Sequence, residues 1–244
     1  MLYACGALPV MADAPEESAE ITAHSAALTI NLGTLSPARA EAMLASGQEA
    51  NRRGIPVVLD PVGAGATAFR RETAEKLLKT VRFSAIRGNA SEIRYLAGAH
   101  AECSGADVSA ADAGACAERQ SACGIAKHLA QMTGAVVMMT GTEDLLTDGS
   151  AAYFVQNGHP MMSRITGSGC MLSAMTAAYL AVRPEQPLEA CLTVLCAMGL
   201  AGEIAAKRMT AQDGNASFRR YLTDAVFHLT EQQLEEGARY ELFR

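Results

Sequence analysis

Short apolar runs alternate with longer helical periods over the first 140 residues of this chain. The runs at 26–31 (AALTIN), 56–60 (PVVLD), 84–87 (SAIR) and 135–140 (AVVMMT) are bounded by turn signals and predict buried strands. Between them the spacing predicts helices over 37–53, 67–80, 90–97 and 113–133. Ser36 and Pro37 supply an N-cap and a first helical position for the first of these. Strands alternating with helices predict parallel βαβ units and an α/β fold. The pattern changes around Asp148-Gly149, where 144–147 and 151–155 predict a hairpin. From Met171 onward the chain reads as helical, with a loop at 213–215 and last helices over 217–229 and 231–238. Gly199 and Gly202 interrupt the helix over 188–209 and predict close helix packing. The first ten residues read as the end of a helix stopping at Gly6, followed by an extended stretch over 8–11. The small-residue stretch 103–114 predicts a surface connection without chemistry.

Each predicted strand runs into a polar or glycine-rich segment: Asn31-Leu32-Gly33-Thr34, Asp60-Pro61-Val62-Gly63-Ala64-Gly65, Arg87-Gly88-Asn89 and Thr140-Gly141-Thr142. In open α/β sheets ligands bind at the carboxyl ends of strands, so these loops predict one shared crevice. Thr166-Gly167-Ser168-Gly169-Cys170 then opens an apolar helix. Free N–H groups, the helix dipole and glycine's tolerance of close approach make such a start an anion cradle. A tight turn ahead of a buried helix gives the same pattern. Cys170 stands at the lip of this cradle, where an accessible thiol is expected to have a lowered pKa. Asp60 can hold Mg²⁺ beside phosphate, or cap a strand end. Asn89 and Glu92 fit a capping box, and Glu92 can also position Mg²⁺ and water. Arg87 can meet a nucleotide phosphate, or lie on the surface. The Asn31–Thr34 loop either presents backbone groups to a substrate or merely turns the chain.

Composition narrows the function classes. Of 244 residues half are hydrophobic, with few aromatics and no Trp, so small side chains fill the core. The formal charge of −6 and the absence of a basic block argue against nucleic acid. No apolar run is expected to reach membrane-spanning length. Seven cysteines at irregular spacings and five scattered histidines suggest neither a disulfide framework nor a structural metal, and fit a cytoplasmic protein.

The order of these motifs carries a resemblance. The chain resembles the hydroxyethylthiazole kinase family, thiamine-salvage enzymes of ribokinase-like fold. The matching segments are Pro9-Val10-Met11-Ala12, Asn31 to Ser36, Asp60 to Thr67, Arg87 to Ile93, Asn157-Gly158-His159-Pro160, Thr166 to Leu172 and Ala201 to Ala205. The resemblance implies one three-layer α/β/α domain over 1–244 with a mostly parallel central sheet. It implies phosphorylation of a thiazole alcohol with ATP and Mg²⁺. Met11 and Gly167 would contact the alcohol, and Arg87, Thr140 and Asn89 would contact ATP. Asp60 and Glu92 would organise the metal. Gly167, Ser168 and Gly169 would form the anion hole, with Cys170 beside the attacking hydroxyl. A homotrimer with interfacial active sites is implied as well. Family members carry a strand and an HNITN-like segment before the Pro-Val-Met-Ala motif, and this sequence is expected to lack them. A catalytically weakened nucleotide- or thiazole-binding relative is therefore the alternative. A cysteine hydrolase using Cys170 would need a neighbouring base, His159 being the nearest histidine in sequence. A kinase for a hydroxymethylpyrimidine or pyridoxal is a further possibility, against which Cys170 and the Pro-Val-Met-Ala motif argue.

Overall fold

Residues 1–98 and 111–243 are described by the computed structural model, without the side chains of 111–116. The predicted strands form β1 (Leu28–Asn31), β2 (Val57–Asp60), β3 (Ala85–Asn89) and β4 (Val136–Thr140), paired in parallel in chain order. The hairpin strands β5 (Asp144–Thr147) and β6 (Ala152–Val155) continue the sheet in antiparallel sense. A seventh strand, β7 (Tyr240–Phe243), pairs antiparallel with β6. Its sequence Tyr-Glu-Leu-Phe is apolar at three positions, but only Phe243 packs against the core while the other three are exposed, and four residues are too short a pattern to mark a strand.

Alternation along the strands divides the core. Ile30, Val57, Leu59, Ile86, Val137 and Phe154 point to one face; Val58, Ala85, Val136, Met138 and Val155 point to the other. Helices α2 (Pro37–Arg53), α3 (Ala68–Thr80), α4 (Ala90–Leu96) and α5 (Ala111–Thr133) supply residues to the first layer. Helices α6 (Ser168–Val182), α7 (Pro187–Lys207) and α8 (Asn215–His228) fill the second. The short α9 (Glu231–Gly237) leads into β7. Both faces of the sheet are therefore covered, as parallel strands require. The 103–114 expectation falls mostly outside the described residues; its last four positions belong to α5.

Three expectations need correction. Helix α1 (Pro15–Ala23) was not predicted. It buries only the polar Ser18 and Thr22, and the Ser18 hydroxyl donates to the Ala42 carbonyl of α2 at 3.3 Å, so no apolar stripe marks it. Helix α7 reaches 21 residues and is apolar enough to cross a membrane by length and composition, although 67% of its apolar stretch is buried inside this fold. Gly199 and Gly202 on α7 admit a loop rather than a helix. A Cβ at Gly199 would lie 2.6 Å from the Asn157 backbone, and one at Gly202 would overlap the Met162 side chain.

Candidate active site

The parallel pairing puts the carboxyl ends of β1 to β4 on one edge. Asn31 and Asp60 are register partners there, and so are Asn89 and Thr140. The loop after β6 brings the start of α6 to the same edge: Asn31 Nδ2 donates to Asp60 Oδ2 at 2.7 Å and to Cys170 Sγ at 3.2 Å. Gly167 caps α6 in the left-handed conformation (φ 87°), which disfavours any side chain.

Arg87 reaches across this floor. Its guanidinium donates to Thr140 Oγ1 at 2.6 Å and stands 3.7 Å from Asp60 Oδ1. It also lies over the cradle backbone, because a Cβ on Gly169 would overlap it. Glycine at 169 is thus required by the arginine. Among the described residues two buried polar side-chain atoms, Asp60 Oδ1 and Arg87 Nε, have no hydrogen-bond partner. Orphaned buried groups of opposite charge call for a partner such as water, an ion or a ligand.

Glu92 has a structural role that the capping box anticipated. Its Oε2 accepts from the Asn89 N–H at 2.8 Å, and Asn89 Oδ1 accepts from the Glu92 N–H at 3.0 Å. Its Oε1 accepts from the Gly63 N–H at 2.9 Å, so it staples the start of α4 to the loop after β2. Its charge still reaches Asp60. Burial pushes the Asp60 carboxyl above the usual range, Arg87 draws it back, and Glu92 adds to the rise. Two carboxylates coupled through space, one with an orphaned oxygen, suit a divalent cation completed by water and phosphate. Among the described residues no group of three His, Cys, Asp or Glu side chains forms a closed metal site.

The thiol expectation is overturned. Cys170 is exposed, yet the protein packed around its sulfur and the Asp60 carboxylate raise its pKa, against smaller lowering by Asn31 and Arg87. No histidine joins the polar contacts of Cys170; His159 instead accepts the Met161 N–H through Nδ1 at 3.2 Å, capping the turn over Pro160–Arg164. A histidine-activated cysteine has no support among the described residues. Met11 is 81% exposed.

Three contributors escaped the sequence reading. Arg70 on α3 donates to the Leu32 carbonyl, to the Val62 carbonyl at 2.6 Å and to the Gly33 carbonyl at 3.0 Å, tying two site loops together. Ser173 is fully buried on α6 and close enough to help lower the Asp60 pKa. The Asn31 side chain is the third. Only Asn31 carried a signal, since an Asn two residues before a Gly favours a local side-chain cap.

A model of the hydroxyethylthiazole kinase family matches residues 1–232. The chain belongs to the hydroxyethylthiazole kinase family. Its sequence is 47% identical over 243 residues to a hydroxyethylthiazole kinase of Clostridium acetobutylicum, covering 100% of this chain and 89% of that protein. A hydroxyethylthiazole kinase of Desulforudis audaxviator is 48% identical over 239 residues, covering 98% and 84%. The structure of a hydroxyethylthiazole kinase protein from Pyrococcus horikoshii superposes with a TM-score of 0.86 at 33% identity, covering 99% of this chain and 87% of that one. A pyridoxal kinase from Staphylococcus aureus in complex with AMP-PCP shares the fold, with a TM-score of 0.57 at 18% identity over 93% of this chain and 77% of that one. The fold is ribokinase-like, and the protein is an enzyme of the hydroxyethylthiazole kinase family.

Proposed function

We propose that this chain, as one kinase domain over 1–244, transfers the γ-phosphoryl group of ATP to the hydroxyl of 4-methyl-5-(2-hydroxyethyl)thiazole, in thiamine salvage in the cytoplasm. The observation that carries the reading is the cradle at the start of α6 meeting Asp60, Arg87 and Cys170, in a chain whose family spans nearly its whole length. The alcohol oxygen attacks the γ-phosphorus in line, the bond to the β-phosphate oxygen breaks, ADP leaves, and the hydroxyl proton passes to a phosphate oxygen or to water. N–H groups of Gly167, Ser168 and Gly169 receive charge developing on the transferring group. Arg87 engages phosphate oxygens, assisted by Thr140 and Asn89. Asp60, with Glu92 acting through water, would hold Mg²⁺, which supplies charge neutralisation on the phosphates. Cys170 keeps its proton at neutral pH and orients the alcohol, with Gly167 and Met11 of a homotrimer interface completing the substrate pocket.

The test is ADP release by purified protein with ATP and Mg²⁺, with and without the thiazole alcohol. Thiazole-dependent release is expected. Its absence in a folded protein that binds ATP would overturn the reading in favour of a non-catalytic binder. Stimulation by pyridoxal or a hydroxymethylpyrimidine instead would change the substrate and keep the chemistry.

A further inference from the structure

Asn31 is the only side chain in direct hydrogen-bond contact with both Asp60 and Cys170 among the described residues. Its orientation is not free. Oδ1 accepts the Gly33 N–H at 2.7 Å, which turns the amide nitrogen away from the loop and toward the strand end of Asp60. There the two Nδ2 protons have two acceptors, Asp60 Oδ2 at 2.7 Å and Cys170 Sγ at 3.2 Å. A neutral amide donating to a carboxylate and a sulfur at once fixes both.

The loop is built around this side chain. A Cβ at Gly33 would sit 2.7 Å from Asn31 Oδ1, so only glycine leaves room for the cap. Arg70 grips the carbonyls of Leu32 and Gly33 from α3. Arg39 on α2 holds the Thr34 carbonyl at 2.9 Å and pairs with Asp13 at 2.5 Å. The residues around Asn31 are therefore clamped from two helices, while its amide alone turns into the site.

The consequence falls on Asp60. With Oδ2 held by Asn31, the oxygen left over is Oδ1, which is buried, without a hydrogen bond and 3.7 Å from Arg87. We propose that Asn31 is a positioning residue of this site: its amide selects which Asp60 oxygen stays free for the phosphate-side chemistry and anchors the Cys170 sulfur beside the cradle. This deepens the kinase reading and rests on it. Asn31 touches no reacting atom in this role; it acts through Asp60 and Cys170.

The test compares Asn31→Asp and Asn31→Ala with the parent. Asn31→Asp keeps the shape and the acceptor for Gly33, so the loop is retained, but the donor is replaced by a second carboxylate. Asn31→Ala loses cap and donor together. With ATP, Mg²⁺ and thiazole alcohol saturating, kcat is expected to fall by roughly 30- to 100-fold in Asn31→Asp, while KM for ATP stays within about threefold. Asn31→Ala is expected to lose less, roughly 10-fold, because it adds no repulsion. A purely structural Asn31 would reverse that order, since alanine alone destroys the cap. Equal or better turnover in Asn31→Asp than in Asn31→Ala overturns the proposal.

A second readout needs no turnover. Carbamidomethylation of Cys170 by iodoacetamide, followed by peptide mass mapping without substrates, is expected to slow at least about threefold in Asn31→Asp, because the sulfur loses a donor and faces a new negative charge. An unchanged rate means Asn31 does not hold Cys170, and overturns that half. Should the parent show no thiazole-dependent turnover, the kinase reading fails, while the alkylation rates still decide whether Asn31 holds the sulfur.

Discussion

Gly169 and Arg87 form one device at the scale of single residues. A methyl group at 169 would strike the guanidinium, which is the mobile end of a long side chain and can yield without unfolding anything. Gly169→Ala is therefore expected to leave the melting temperature nearly unchanged and to reduce kcat/KM by about 100-fold, by expelling Arg87 from the cradle. Arg87→Ala should cost a similar amount, and the double variant should be no worse than either single one. Additive losses would show that glycine serves the anion independently of the arginine. Cys170 plays a lesser part. Its raised pKa makes it a neutral partner for the alcohol, so Cys170→Ala should retain a measurable fraction of turnover, and Cys170→Asp should retain or raise it. Complete loss in a folded Cys170→Ala would make the thiol indispensable.

At the scale of elements, the turn from β4 into β5 carries a pH dependence. Asp144 Oδ1 accepts the Gly141 N–H at 2.9 Å, and burial raises the Asp144 pKa to about 6, only partly offset by that bond and by Arg87. Between the unfolded value near 4 and this folded value the native state binds the extra proton, so stability falls as pH rises through that window. Asn at this position keeps an acceptor for Gly141 without the buried charge. Asp144→Asn is expected to gain about 1–3 kcal/mol at pH 7.5, a gain that vanishes below about pH 4, measured by urea unfolding at both pH values. At the other end of the antiparallel arm, Glu203 on α7 holds β7 in place. It accepts from Gly158 N–H at 2.9 Å, from Asn157 Nδ2 at 3.2 Å and from Arg239 at 2.6 Å. Glu203→Ala strands these donors. It is expected to cost about 1–3 kcal/mol in urea unfolding and to speed amide exchange in β7.

The whole molecule leaves an apolar strip uncovered near its first residues: Leu8 is 83% exposed, Val10 66% and Met11 81%. An interface with another copy would bury it and bring Met11 to a substrate pocket, as the proposed homotrimer requires. Light scattering is expected to report three chains per particle, and Leu8→Ser with Val10→Ser to shift that toward one. A parent protein that runs as a monomer at micromolar concentration would remove the role assigned to Met11.

Much of this was legible in the sequence because it depends on local or periodic features. The buried strands announced themselves as short apolar runs, Ser36 and Asn89 as caps, Asp148-Gly149 as a hairpin turn, and Thr166 to Cys170 as a glycine-flanked helix start. Helix α1 and strand β7 did not, because α1 buries only polar residues and β7 is four residues long with only Phe243 turned to the core. The site divides along the same line. Asp60, Glu92, Arg87 and the Gly167–Cys170 cradle could be picked out one by one by residue type and position after a strand. Which of them touch, and with what effect, is a property of the assembled sheet. Register sets Asn31 beside Asp60, and the path of α6 sets Cys170 beside both. Burial of the sulfur and then the nearness of Asp60 raise the thiol pKa, which the helix start alone would lower. The sequence by itself determined the elements and the chemical groups available. Tertiary structure decided their electrostatics, because the energy of a charge depends on neighbours that lie tens of residues away along the chain.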